Sequence, residues 1–131
     1  MRPLNIVIAA PVRTAIGTYG GSLKSVPATE LGATAIRETL ARSDLDASAV
    51  GAIVMGQVVQ AGARMNPSRQ AAVGAGIPMS VPAMTVNRVC GSGAQAIVSA
   101  ALEIASGVIP CAIAGGMENM DLAPYLVPGA R

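Results

Sequence analysis

Residues 83–106 read AMTVNRVCGSGAQAIVSAALEIAS, and this stretch predicts a strand, a glycine-rich turn and a helix in succession. The apolar and β-branched run Ala83 to Val89 is typical of a strand, and Gly91-Ser92-Gly93 is typical of a turn. The spacing of apolar residues predicts a helix over about Ser92 to Ser106. Cys90 lies at the junction, so we expect its thiol at the carboxyl edge of a sheet, where open α/β sheets bind ligands.

More strands and helices are predicted on either side of this stretch. The predicted strands are Asn5 to Ala10, Ala52 to Val59 and Cys111 to Gly116, and the predicted helices are Thr29 to Arg42, capped by Thr29, and Pro67 to Ala75. Strands that alternate with helices are the signature of the α/β class. The continuous apolarity of the first and last strands indicates a mostly parallel sheet of four strands with helices on both faces.

The helix predicted over Ser92 to Ser106 is apolar around its whole circumference, and Glu103 is its only charged residue. Such a helix is expected to be buried on every side. One sheet covers only one flank, so we expect a second sheet or another subunit to cover the other. We therefore expect the 131 residues to be part of a larger unit, cut in an exposed loop after Arg131.

Composition excludes several classes of protein. A chain of 131 residues with 52% hydrophobic residues has ample material for a core, which argues against disorder. Nine basic and seven acidic residues give a net charge of +2, and scattered basic residues with only 2% aromatics argue against nucleic-acid binding. No unbroken apolar helix long enough for a membrane is predicted. Two cysteines do not form a disulfide framework, so we expect a reducing, cytoplasmic location.

Cys90 is the candidate nucleophile. Its small neighbours leave room for an acyl group, and the first N–H groups of the following helix favour a thiolate and can donate to an oxyanion. The alternative is a buried structural cysteine, and the position of Cys90 between a strand and a glycine turn favours the nucleophile. The chain contains no histidine, so any Cys–His chemistry must take its base from elsewhere.

The glycine turn also has a second interpretation. Residues 91–96 satisfy the dinucleotide-binding pattern G-x-G-x-x-A, and Glu118 follows near the end of the next predicted strand. Against this interpretation, the turn follows the third predicted strand instead of the first, and a thiol occupies the place where a pyrophosphate would approach.

Four stretches carry a resemblance to a known family: Val86 to Gly93, Ala10 to Thr14 with the glycines up to Gly21, Asn66 to Ala72, and Ala114 to Glu118. In content and order they resemble the thiolases, the family of acetyl-CoA acetyltransferases and 3-oxoacyl-CoA thiolases, and Val86 to Gly93 resembles the nucleophile segment of that family. Residues 123–131 resemble the start of the family's loop domain. The resemblance therefore divides the chain into an incomplete N-terminal thiolase domain, residues 1–120, and a truncated loop-domain start, residues 121–131.

The resemblance implies half of a thiolase-like fold, layered α-β-α-β-α in the complete subunit. It implies acyl transfer through a thioester on Cys90, either cleaving 3-oxoacyl-CoA or condensing two acetyl-CoA molecules, with coenzyme A thioesters as substrates and no cofactor or metal. The implied partners are the C-terminal part of the same subunit and further copies in a homodimer or homotetramer. The activating His, the second Cys and an Asn-held water match nothing here, so this portion alone is expected to be inactive.

The resemblance implies that Asn66 to Ala72 supports the partner's active site, and the alternative is that Arg69 and Gln70 are ordinary helix surface. From their own positions, Glu118 is expected to be a buried structural carboxylate instead of a base, Cys111 to pack inside a strand, and Met117 and Met120 to pack near the pocket. The sequence departs from the family at three positions: Ile16, where an aromatic residue is common, and Asn119 and Asp121, where serines are frequent. A β-ketoacyl synthase relative using acyl-carrier substrates and a catalytically silent thiolase-like protein are the remaining alternatives.

Overall fold

The computed structural model describes residues 5–129, so Arg131 lies outside the described residues, as does the end of the loop-domain start predicted over 121–131. Its elements, in chain order, are α1 (Ala28–Ser43), β1 (Ala52–Gly56), α2 (Pro67–Gly74), β2 (Ala83–Val86), α3 (Ser92–Ala105) and β3 (Ala112–Gly116). Short 3-10 turns follow α1 at Ala47–Ala49 and β3 at Met120–Leu122.

The three strands form one parallel sheet in the order β2-β1-β3. The last residue of β1, Gly56, is in register with Val86 of β2 and with Gly116 of β3. All three strands therefore end at the same edge, and the segments that follow them meet there. This arrangement confirms the predicted parallel α/β sheet, with three strands in place of four.

The strand predicted over Asn5 to Ala10 does not form, and that prediction was wrong. Val7 and Ile8 are 82% and 76% exposed, and this segment pairs with none of the three strands. An apolar, β-branched run is suited to a strand, but a strand also needs a neighbouring backbone for its hydrogen bonds. The central strand β1 already has both neighbours, and neither outer edge of the sheet pairs with residues 5–10.

Helices cover both faces of the sheet, as predicted. On one face, α1 and α2 pack together, and their Ile36 and Ala71 join Ile53 and Met55 of β1 in one buried cluster. On the other face, Ala96 and Ala100 of α3 pack on Val54 of β1. Successive strand residues point to opposite faces, so the apolar run of β1 supplies both clusters.

The face of α3 that points away from the sheet is uncovered in the described chain. Only Ser92, Ala96 and Ala100 of this helix are buried, whereas Ile97, Val98 and Leu102 are 40%, 50% and 63% exposed. The expectation of burial on every side is therefore not met by residues 5–129 themselves. None of the helices in this range is long and apolar enough to cross a membrane.

Element boundaries follow local chemistry. The helices α1, α2 and α3 begin and end within one residue of the predicted positions. The predicted cap of α1 was wrong: Pro27 occupies the N-cap position, so Thr29 lies inside the helix.

The strand β1 ends three residues earlier than predicted because the N–H groups of Val58 and Val59 donate to the Glu118 carboxylate instead of to a strand.

Candidate active site

Cys90 lies in the turn between β2 and α3, at the sheet edge where all three strands end, and it is exposed. The turn is tight, since Gly91 N–H donates to Arg88 O at 3.1 Å and Ser92 N–H donates to Val89 O at 3.0 Å. The N–H groups of Cys90 and Ala94 have no acceptor within residues 5–129. An exposed thiol thus lies in the turn that precedes a helix, near in the chain to amide donors without an acceptor, and such donors can bind an oxyanion.

Side chains from two neighbouring residues hold this turn. Asn87 Oδ1 accepts a hydrogen bond from Val89 N–H at 3.0 Å, and Asn87 Nδ2 donates to Val58 O at 3.0 Å. The buried Ser92 hydroxyl accepts from Arg88 N–H at 2.9 Å and donates to Val89 O at 2.6 Å. Val89 itself has a φ of +50°, which a β-branched residue rarely adopts. The predicted strand over Ala83 to Val89 ends at Val86 because these last residues form the turn.

The glycines of this region allow α3 to approach the sheet closely. A Cβ on Gly56 would lie 2.4 Å from the Ser92 carbonyl carbon and 2.7 Å from Gly93 N. A Cβ on Gly116 would lie 3.2 Å from Gly93 Cα. The first turn of α3 therefore rests on the backbone of β1 and β3. The space is limited at the strand glycines Gly56 and Gly116, whereas a Cβ on Gly93 of the helix would meet Gly116 at an ordinary 3.8 Å.

Glu118 is tied to backbone, as expected of a structural carboxylate. Its Oε2 accepts hydrogen bonds from Val58 N–H at 2.8 Å and Val59 N–H at 3.2 Å. Its other oxygen, Oε1, and the buried Oε1 of Gln57 have no donor within residues 5–129. A buried acceptor without a donor lowers the stability of a fold by about 1–3 kcal/mol. A further donor that binds Glu118 Oε1 or Gln57 Oε1 would therefore be stabilising.

Cys111 lies apart from Cys90, one residue before β3, and not inside the strand as predicted. It is half-buried, and its Sγ donates to Ala49 O at 3.1 Å. The Cys111 thiol therefore forms its hydrogen bond at the opposite end of the sheet from the turn that carries Cys90.

The stretch Asn66 to Ala72 forms the start of α2 and is bound to β2. Asn66 caps the helix through Oδ1, which accepts from Arg69 N–H at 3.2 Å, while Asn66 Nδ2 donates to Ala83 O at 2.9 Å. Thr85 of β2 accepts from Ser68 N–H at 2.9 Å and donates to Asn66 Oδ1 at 2.9 Å. This junction lies against the strand that leads to Cys90.

Two grooves of about 510 Å³ each flank the end of β3. One lies between the loop after β1 and the segment 119–123, and the other lies between residues 12–19 and α1. Met117 and Met120, expected to pack near the pocket, line the second groove, and Met117 is buried. Cys90 lines neither groove, so neither forms an enclosed acyl pocket around the thiol.

Asn119 and Asp121, two of the positions expected to differ from the resembled family, hold the loop before α1. Asn119 Nδ2 donates to the carbonyls of Leu23, Lys24 and Val26 at 3.1, 3.2 and 2.7 Å, and Asp121 Oδ1 accepts from Gly20 N–H at 2.7 Å. Sequence reasoning missed these contacts, because the partners lie more than 90 positions apart and share no periodic pattern. The Asn-Met-Asp spacing at the end of β3, typical of an Asx turn, was the available signal.

We expect Asn119→Ser to release the loop at residues 23–26, because a serine hydroxyl is too short to reach all three carbonyls. The free energy of unfolding should fall by about 1 kcal/mol, the usual net value of one or two hydrogen bonds. Limited trypsin digestion should cleave faster after Lys24, while cleavage after Arg13, which Asn119 does not contact, serves as the internal control. Equal rates of cleavage after Lys24 in Asn119→Ser and in the wild type would contradict the role of Asn119 in holding this loop.

Comparison with known sequences identifies the family. The family model for the N-terminal domain of thiolases matches residues 6–131. The chain belongs to the thiolase family. The turn that exposes Cys90 lies within the residues that this thiolase model matches.

Curated relatives agree with this assignment. The thiolase chain is similar to an acetyl-CoA acetyltransferase from Pseudomonas aeruginosa, 52% identical over 127 residues, and to a beta-ketothiolase from Cupriavidus necator, 54% identical over 127 residues. These matches cover 97% and 96% of the chain and 32% of each relative. A cytosolic acetyl-CoA acetyltransferase from Mus musculus is 48% identical over 121 residues, covering 92% of the chain and 30% of the relative. The chain thus spans about a third of the length of these relatives.

Proposed function

We propose that the complete subunit is a thiolase that transfers acyl groups through a thioester on Cys90, with 3-oxoacyl-CoA and coenzyme A as substrates. The single observation that carries this proposal is the exposed Cys90 thiol at the start of α3, beside N–H groups that have no acceptor within residues 5–129. Family membership and relatives named acetyl-CoA acetyltransferase support the same reaction.

The reaction has two steps. The Cys90 thiolate attacks the keto carbonyl of 3-oxoacyl-CoA, and the bond between the α and β carbons breaks. The electron pair leaves with acetyl-CoA as its enolate, which takes up a proton, and the acyl group stays on sulfur as a thioester. The thiol of coenzyme A then attacks this thioester and gives its proton to a base, which releases acyl-CoA and restores Cys90. The reverse sequence condenses two acetyl-CoA molecules.

Residues outside this chain must complete the site. The described residues include no histidine, and Cys111 is bonded to Ala49 O away from the turn, so the base and the proton donor are assigned to the C-terminal part of the subunit. The exposed face of α3, with Ile97, Val98 and Leu102, is assigned to contact with that part in an α-β-α-β-α arrangement. The portion described here is therefore proposed to be inactive by itself.

The start of α2 is assigned to an interface between two copies of the subunit, in a homodimer or homotetramer. Met65, directly before the cap of α2, is 91% exposed, and the adjoining residues 66–68 are bonded to β2, whose far end leads to Cys90. The resemblance to thiolases is what assigns this junction to the support of a partner's active site. We assign the enzyme to the cytoplasm, supported by two free cysteines and by the mouse relative that is named cytosolic.

Incubation of the full-length subunit with acetoacetyl-CoA, without free coenzyme A, is expected to leave an acetyl group on Cys90. Trypsin cleaves after Arg88 but leaves Cys90 and Cys111 in one peptide, since no lysine or arginine lies between them. A second cleavage after Glu103 separates residues 89–103 from the fragment that contains Cys111. Mass spectrometry of both fragments then assigns the thioester.

Acetyl on the Cys111 fragment, or no acetyl on residues 89–103 in an active preparation, would contradict the proposal. A matched sample incubated with NAD addresses the dinucleotide interpretation: NAD should give no protection from thermal unfolding. A preparation that is acetylated from an acyl-carrier thioester but not from acetoacetyl-CoA would favour a β-ketoacyl synthase.

A further inference from the structure

We infer that Asn87 is a positioning residue, which sets the orientation of Cys90 by holding Val89 in a left-handed conformation. This inference rests on the proposed role of Cys90 as the nucleophile. It assigns a function to Asn87, and also to the segment after β1 and to Glu118, which anchor Asn87. None of these residues needs to contact the substrate.

The starting observation is the backbone of Val89. Its φ of +50° is sterically unfavourable for a β-branched side chain, and the side chain is 64% exposed, so packing around it does not supply the constraint. Hydrogen bonds supply it instead. Asn87 Oδ1 binds the Val89 N–H, and the Ser92 hydroxyl binds the Val89 carbonyl, so both peptide groups of Val89 are held.

The other end of the Asn87 side chain is anchored to the sheet. Its Nδ2 donates to Val58 O, and the N–H of the same Val58 donates to Glu118 Oε2. Asn87 follows β2, Val58 follows β1 and Glu118 follows β3, so these two side chains join the carboxyl ends of all three strands. The turn that carries Cys90 is thereby fixed to the sheet as a whole.

The consequence concerns the direction of the Cys90 side chain. Without the bond from Asn87, Val89 can relax to a negative φ, which rotates the following peptide and moves the Cβ of Cys90. A displacement of about 1 Å at a reacting group can cost about 100-fold in rate. An interaction that only orients the nucleophile contributes to the transition state more than to substrate binding, so the effect should fall on kcat with little change in KM.

The test uses the full-length subunit and three variants. Asn87→Ala should lower kcat for thiolysis of acetoacetyl-CoA by about 10- to 100-fold with KM within about twofold of wild type. The double variant Asn87→Ala with Val89→Gly should recover most of the lost kcat, because glycine adopts a positive φ without steric cost. Asn87→Ser, which keeps an oxygen that can accept from Val89 N–H but cannot reach Val58 O, should lie between Asn87→Ala and wild type.

A second readout does not depend on turnover. The rate of alkylation of Cys90 by iodoacetamide, followed on the fragment 89–103, should change in Asn87→Ala, while the rate at Cys111 stays constant. Asp46→Ala is the matched control. It removes an exposed turn cap far from the site, in which Asp46 Oδ1 accepts from Ser48, and should alter neither kcat nor alkylation.

Wild-type kcat in Asn87→Ala, or a double variant no faster than Asn87→Ala, would overturn the inference. If Asn87→Ala does not fold, the inference is tested by comparing Asn87→Ser with wild type. Equal kcat values in those two proteins would overturn the inference. Failure of the proposed function is distinguished by Cys90→Ser. Activity in Cys90→Ser would show that Cys90 is not the nucleophile. An inactive Cys90→Ser together with a fully active Asn87→Ala would contradict only the positioning role of Asn87.

Discussion

Replacing Cys90 by serine in the full-length subunit is expected to lower kcat/KM for thiolysis by about 10³-fold or more. A serine hydroxyl is essentially un-ionised at neutral pH and is a far weaker nucleophile than a thiolate. Because Cys90 is exposed and makes no packing contact with the core clusters, the variant should fold normally. Steady-state kinetics with acetoacetyl-CoA and coenzyme A measure the loss.

The control for this substitution is Cys111→Ser. A serine hydroxyl at that position can donate to Ala49 O as the thiol does, so we expect nearly wild-type kcat/KM and stability. If Cys111→Ser were as inactive as Cys90→Ser, the assignment of the nucleophile to the turn before α3 would be wrong. A fully active Cys90→Ser would reject it directly.

Replacing Gly56 by alanine is expected to destabilise the protein by about 3 kcal/mol, at the upper end of the usual cost of overpacking. The added methyl would lie 2.4 Å from the Ser92 carbonyl carbon and 2.6 Å from its oxygen. These are backbone atoms in the first turn of a helix, so they cannot move aside as the end of a flexible side chain does. The helix would have to shift away from β1 and carry the Cys90 turn with it.

The matched control is Gly93→Ala, on the helix side of the same contact. A Cβ on Gly93 would meet Gly116 Cα at 3.8 Å, an ordinary van der Waals distance, and alanine is favoured over glycine in a helix by about 1 kcal/mol. Gly93→Ala should therefore be nearly neutral or slightly stabilising. Urea unfolding measures the stability of both variants. A Gly56→Ala variant whose free energy of unfolding lies within about 0.5 kcal/mol of the wild-type value would contradict the close contact.

The helices and the parallel sheet were predictable from the sequence because their signals are periodic and local. Pro67 at the first turn of α2 and the spacing of apolar residues in α3 predict the ends of both helices within one residue. The segment Asn5 to Ala10 has an equally strong local signal, but a strand also requires a partner, and pairing between distant segments leaves no mark in a single sequence.

The position of Cys90 was predictable, and the way in which it is held was not. The strand-to-helix turn follows from the glycines around Cys90, whereas a positive φ at Val89 contradicts the local preference of valine. The bonds of Asn119 to the loop at residues 23–26 likewise join segments far apart in the chain. Such conflicts between local preference and structure are concentrated at functional sites, where the surroundings impose the conformation.

The order of the strands also determines when the turn that carries Cys90 is joined to all three of them during synthesis. The central strand β1 comes first in the chain, but it gains neighbours only after β2 and β3 have been made. Val58 and Glu118 are 60 positions apart, and every such long-range contact slows folding relative to local ones. The chain must therefore be synthesised as far as Glu118 before the bonds that join Asn87, Val58 and Glu118 are complete, whereas the bonds of Asn87 and Ser92 to Val89 are local and can form earlier.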